Sequence, residues 1–101
     1  MPPPAQPIIP IDAFPYGTHP GVVLRRWLSR RKISQTHAAI MLDISRHTIN
    51  VILACNRGIS PNAAIALGRL FATGADYWIT LQKNYELHRA ARRRQGKGLD
   101  S

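Results

Sequence analysis

Cysteine is almost missing from this chain of 101 residues: Cys55 stands alone. One cysteine excludes an internal disulfide and any multi-cysteine metal site. Between apolar neighbours it reads as a small core hydrophobe, in keeping with a reducing compartment. Acidic residues are scarce too, five Asp+Glu against 14 Lys+Arg, for a formal charge of +9. So few acids argue against a paired-carboxylate catalytic site. His19, His37, His47 and His88 are dispersed along the sequence. None has metal-ligand spacing, and none adjoins a nucleophile motif or a phosphate loop. The expectation is a protein that is not an enzyme and carries no metal and no other cofactor. No apolar run approaches the roughly 18 residues of a membrane span, so no membrane partner is expected. The opening MPPPAQPIIPIDAFP has no basic start leading into an apolar block, so it does not read as a secretory signal.

What the chain does have is positive charge, 45% hydrophobic residues and helical periodicity. Its length sets one small domain with one core and little room for a substrate pocket. The cationic excess favours a polyanionic partner, nucleic acid first. Six of the eight prolines fall in residues 1–17, which read as a flexible or extended Pro-rich arm whose Ile8, Ile9 and Ile11 can still pack onto the domain. A first helix starts at Pro20, capped by Thr18 or His19, with Val23, Leu24, Trp27 and Leu28 as its apolar face. The Arg25, Arg26, Arg30, Arg31 and Lys32 block lies mostly off that face, either as a solvated helix end or as phosphate contacts. A second helix runs from a Ser34 cap to about Leu42, with Ala38, Ala39, Met41 and Leu42 inward. The third runs from about Ser45 to Ala54. Ser60-Pro61 opens a fourth, with Ala64, Ile65, Leu67, Leu70 and Phe71 on its buried side. A fifth begins near Ala75, with Trp78, Leu81 and Tyr85 as its stripe, and Trp27 and Trp78 as core anchors. Residues 89–101 lose the periodicity and read as a frayed basic tail, either a solvated end or a second DNA arm.

The second and third helices are joined by Asp43 and Ile44 alone before the Ser45 cap. So tight a turn forces a steep crossing, as in a helix-turn-helix. Ala39 is the small residue the crossing needs, and Ile44, Ile49 and Ile52 lock turn and helix to the core. The outer face of the third helix then carries Arg46, His47 and Asn50, with Thr48 and Val51 alongside. Arg pairs with guanine and Asn with adenine in bidentate fashion, and Val can touch a thymine methyl. Gln35, opening the preceding helix, is placed to bond a phosphate or brace the reading helix. Double-stranded DNA is the partner these residues fit. Tyr77, Leu81 and Tyr85 on the fifth helix are the expected homodimer contact.

Four stretches in order carry a resemblance. They are His19-Pro20-Gly21 with Val23-Leu24, Leu42–Ser45 with Thr48-Ile49, Arg57–Pro61, and Tyr77–Gln82. Through them residues 19–88 resemble a HigA-type antitoxin of the Xre (lambda-repressor-like) helix-turn-helix family. The resemblance implies an all-α, five-helix lambda-repressor-like domain over 18–88, between the Pro-rich arm and the basic tail. It implies a homodimer that binds its operator DNA and represses its own operon. It also implies a HigB-type toxin partner, an mRNA-cleaving RNase, and a cytoplasmic bacterial location, nucleoid-associated when on DNA. The family's DNA-contact positions fall on Gln35, Ser45, Arg46, His47 and Asn50. The family's usual turn glycine is Asp43 here, a residue that tolerates a left-handed backbone. The Asn-Gly that often follows the reading helix is Ala54-Cys55, leaving Asn56 and Arg57 as replacement contacts. Toxins of this kind are themselves basic, so a chain of +9 has to meet one through a local contact. A free-standing phage- or plasmid-type regulator without a toxin partner is the alternative.

Overall fold

A computed structural model describes residues 8–98. Five α-helices follow one another: α1 (Pro20–Arg31), α2 (Gln35–Leu42), α3 (Arg46–Leu53), α4 (Pro61–Leu70) and α5 (Ala75–Gly98), preceded by a 3-10 turn at Ile11–Ala13. No strand occurs among the described residues. The fold is the all-α helix-turn-helix domain that the sequence predicts.

Local chemistry sets the boundaries. The hydroxyls of Ser34, Ser45 and Ser60 accept from the backbone N–H three residues on, at 3.0, 3.0 and 3.2 Å, each satisfying an orphan donor of a helix start. His19 caps α1 differently: its Nδ1 accepts from Gly21 N–H at 2.8 Å. Pro20 and Pro61 occupy first helical positions, where the missing N–H costs nothing. Lys32 and Asp43 end α1 and α2 in the left-handed region, at φ 58° and 54°.

The core is built from one stripe of each helix: Val23, Leu24, Trp27 and Leu28 of α1, Ala38, Ala39 and Leu42 of α2, Ile49, Ile52 and Leu53 of α3, Ala64 and Leu67 of α4, Trp78 and Leu81 of α5. Phe71, just past α4, joins Trp27 and Trp78 in an aromatic cluster with ring centroids 4.7–6.3 Å apart. Met41 and Ile65, expected inside, are close to half exposed, because each sits at the edge of its helix's buried stripe.

Residues 8–17 take the packed form of the expected arm: Ile9 is buried together with Phe14, Ile11 packs on the core while Ile8 is half exposed, and Tyr77 Oη donates to the Ile9 carbonyl at 2.6 Å. Apolar burial offsets the ordering cost that the prolines already reduce. The remainder of the expected arm, residues 1–7, lies outside the described residues. The basic tail is helical as far as Gly98. Arg, Ala and Gln are strong helix formers, extension adds one hydrogen bond per residue fixed, and cations suit a helix C-terminus. Residues 99–101 lie outside the described residues.

Candidate nucleic-acid interface

The turn between α2 and α3 closes through Ile44 N–H to the Ala39 carbonyl at 3.1 Å and Asp43 N–H to that of Ile40 at 3.2 Å. Asp43 at φ 54° does what the family's turn glycine would do. On α3 the faces divide, with Thr48 and Val51 between them. Ile49, Ile52 and Leu53 are buried, while Arg46, His47 and Asn50 are exposed. Their one-turn spacing projects these three polar side chains from one side of the helix. No acidic residue lies on α3 to oppose an anion.

The other sequence-predicted contacts divide into free and engaged. Ser45 is exposed, but its hydroxyl caps α3 and lies 2.8 Å from Thr48 Oγ1. Thr48 also accepts from Arg57 Nη1 at 3.5 Å, which draws the loop after α3 back toward its first turn. Thr48 is therefore a brace, and Val51 is half-buried. Asn56 and Arg57 are exposed. Gln35, half-buried, shares a shallow recess with Arg25, Ser34 and Leu53. Cys55 is exposed, not a core hydrophobe, and takes φ 64°. It stands at the left-handed position that ends α3, which turns its side chain outward.

Three residues that position α3 were missed as such. A Cβ on Gly21 would collide with the Ile52 carbonyl oxygen, so the His19-Pro20-Gly21 start of α1 is the seat of the last turn of α3. Arg25 Nη2 reaches the Leu53 carbonyl at 3.4 Å and places a cation at the C-terminal end of the same helix. Gln82 Oε1 accepts from Ile59 N–H at 2.7 Å and fixes the loop leaving α3, with its amide lying where a Cβ on Gly58 would stand. The motif stretches around Gly21 and Gln82 were the available signal, because both sit in stretches that carried the resemblance.

The expected dimer contact needs correction. Leu81 is 3% exposed and belongs to the monomer core. Tyr77 is half-buried; its hydroxyl accepts from Trp27 Nε1 at 3.0 Å while donating to Ile9. Burial raises the Tyr77 pKa above 10.0, although the Trp27 bond opposes the shift. Tyr85 packs edge-on against His19 with centroids 4.6 Å apart, and burial lowers the His19 pKa below 6.5. Large apolar side chains exposed on α5 are Ile79 and Leu87. Among the described residues no His, Cys, Asp and Glu group could hold a metal, and no helix is long and apolar enough to cross a membrane.

With the geometry in place, likeness to known proteins becomes specific. The Pseudomonas aeruginosa antitoxin HigA, solved with the higBA promoter, is 40% identical, with 82% of this chain and 90% of that one covered at a TM-score of 0.73. The chain belongs to the HigA-type antitoxin family. A second member, an addiction module antidote protein of the HigA family from Coxiella burnetii, is 29% identical, with 85% and 94% covered and a TM-score of 0.73. Among curated proteins, Virulence-associated protein A' of Dichelobacter nodosus is 34% identical over 70 residues, 68% of this chain. This HigA-type chain spans 61% of the length of that relative. No protein-family model matches the chain.

Proposed function

We propose that this HigA-type chain is a sequence-specific DNA-binding antitoxin of a type II toxin–antitoxin module. In this reading α3 enters the major groove of its operator. Arg46 and Asn50 bond base edges, His47 adds a third polar contact, and Val51 meets a thymine methyl. Gln35, Ser45, Asn56 and Arg57 face the phosphates, with Thr48 bracing them. The observation that carries the reading is the exposed Arg46, His47 and Asn50 set on a helix whose opposite face is wholly buried. The promoter bound to the HigA relative supports duplex DNA as the ligand.

The rest of the reading follows from family membership. Two copies bind as a homodimer at half-sites about 34 Å apart. With Leu81 inside the monomer, the outward Ile79 and Leu87 of α5 are the apolar groups available to the second copy. The dimer represses its own operon in the cytoplasm, associated with the nucleoid while on DNA, and neutralises a HigB-type, mRNA-cleaving toxin. The test is a titration of the duplex upstream of the gene against a scrambled duplex at one fixed salt. Specific binding at least about 10³-fold tighter is expected. Equal affinities contradict it. Sedimentation tests the dimer, and co-purification with the product of a small basic reading frame beside the gene tests the toxin.

A further inference from the structure

The cationic second half of α5 takes no part in the site described above. Arg89, Arg92 and Arg93 are exposed and line one recess of about 500 Å³ with Gly17, Tyr85 and His88. Their i, i+3 and i+4 spacing stacks three guanidiniums on one face, where like charges destabilise a helix unless an anion joins them. None of the six lining residues is acidic. Glu86, the nearest acid in sequence, accepts from Gln82 Nε2 at 3.0 Å and lines a different recess, beside Arg57.

The wall opposite the arginines is built. Gly17, at φ 85°, lies so close to His88 that any Cβ would collide with the imidazole. Thr18 closes the turn by donating its N–H and hydroxyl to the Pro15 carbonyl at 3.1 and 2.6 Å. Tyr16 packs edge-on to His88 with centroids 5.9 Å apart. The loop and the helix therefore pack directly against each other on this side of the recess.

We infer that this Arg89–Arg92–Arg93 face is a second DNA contact, one that grips backbone phosphates beyond the bases read by α3. Guanidinium forks suit phosphate oxygens and carry no base preference. Three cations with no acid among the lining residues call for a polyanion, and the DNA-binding reading supplies one in the duplex backbone. Tyr85, in this recess, lies against His19, and the Gly21 that His19 caps abuts Ile52 in the last turn of α3. Arg92 and Arg93 follow Tyr85 by about 11–12 Å along the helix. α1 thus ties the recess on α5 to the helix that carries the reading face.

The inference rests on the DNA-binding reading, and its test separates the two. The full-length chain and an Arg89→Gln/Arg92→Gln/Arg93→Gln variant are titrated with a random-sequence duplex and with the duplex upstream of the gene. Salt runs from about 50 to about 200 mM, and circular dichroism checks the helix. The log–log salt slope of the variant becomes shallower by about 0.9 for each phosphate that it no longer neutralises. Affinities for the two duplexes fall by the same factor, so their ratio is unchanged. An Arg→Lys triple variant keeps the charge and restores the slope. An unchanged slope in the Gln variant overturns the inference and leaves the α3 reading intact. So does an unchanged slope accompanied by weaker binding to a polyglutamate peptide, which would assign the face to an acidic protein. A native chain that binds neither duplex at any salt overturns both.

Discussion

Where α1, α4 and α5 meet, Trp27, Phe71 and Trp78 pack ring against ring, all 0–1% exposed, and Tyr77 adds an edge-on contact 5.1 Å from Trp78. Where α2 crosses α3 there is no Phe, Tyr or Trp. Two eight-residue helices bury alanines and branched aliphatics and begin on serine caps. Helices this short are marginal alone, so their order depends on capping and on the scaffold beneath. The two regions have divided the work. Aromatic burial supplies the stability, which frees α3 to expose a polar face that contributes little to folding. Gly21 and Gln82 join them, one at the last turn of α3 and one at the loop that follows.

Substitution should separate the regions by size of effect. Trp78→Ala should cost about 3–5 kcal/mol, the range for deleting a large buried aromatic, and should remove most of the domain's stability in urea denaturation. A loss under about 1 kcal/mol would mean that the aromatic cluster is not what carries the fold. Gly21→Ala acts at the joint. Its methyl must displace the Ile52 backbone, an overpacking cost of about 1–3 kcal/mol, and DNA affinity should fall with it because α3 shifts. If stability falls while affinity does not, the α1–α3 contact does not position the reader.

Smaller effects belong to the caps. Ser45→Ala should cost about 1 kcal/mol by releasing the Thr48 N–H, again measured in urea. His19 adds a pH dependence whose sign follows from its lowered pKa. Above 6.5 the imidazole is neutral in both folded and unfolded chains, and its contribution is fully present. As pH falls from 6.5 toward the lower folded value, the unfolded chain takes up the proton first and stability declines. Denaturation on either side of that window should show the decline. His19→Asn, which keeps a cap acceptor and cannot titrate, should reduce it. An identical decline in His19→Asn would place its origin elsewhere.

These contrasts also mark what the sequence could reveal. The serine caps, the Asp43 turn and the buried face of α3 were legible because each is set within a few residues. So was the outward set Arg46, His47 and Asn50, which is fixed once Ile49, Ile52 and Leu53 face inward. What escaped depends on partners far along the chain. Phe14 is buried against the helices, and Ile9, whose packing was expected, is held by a bond from Tyr77, 68 residues away, which was not. An apolar stripe does not say whether a core or a second copy covers it, and Leu81, on the expected dimer face, is covered by the core. Residues 89–95 are all exposed, so a periodicity that reports burial had no means of showing their helix. The left-handed position of Cys55 is a property of how α3 ends, which its apolar neighbours in sequence do not disclose.

The central claim is that the exposed polar face of α3 reads bases while the buried scaffold only holds it. Its most direct test compares Arg46→Ala and Asn50→Ala with the native chain on the upstream and scrambled duplexes at one fixed salt. Each change should cost about 1–3 kcal/mol on the upstream duplex and leave binding to the scrambled one nearly untouched, with urea stability within about 0.5 kcal/mol of native. If both variants keep the native preference between the two duplexes, α3 is not the reader.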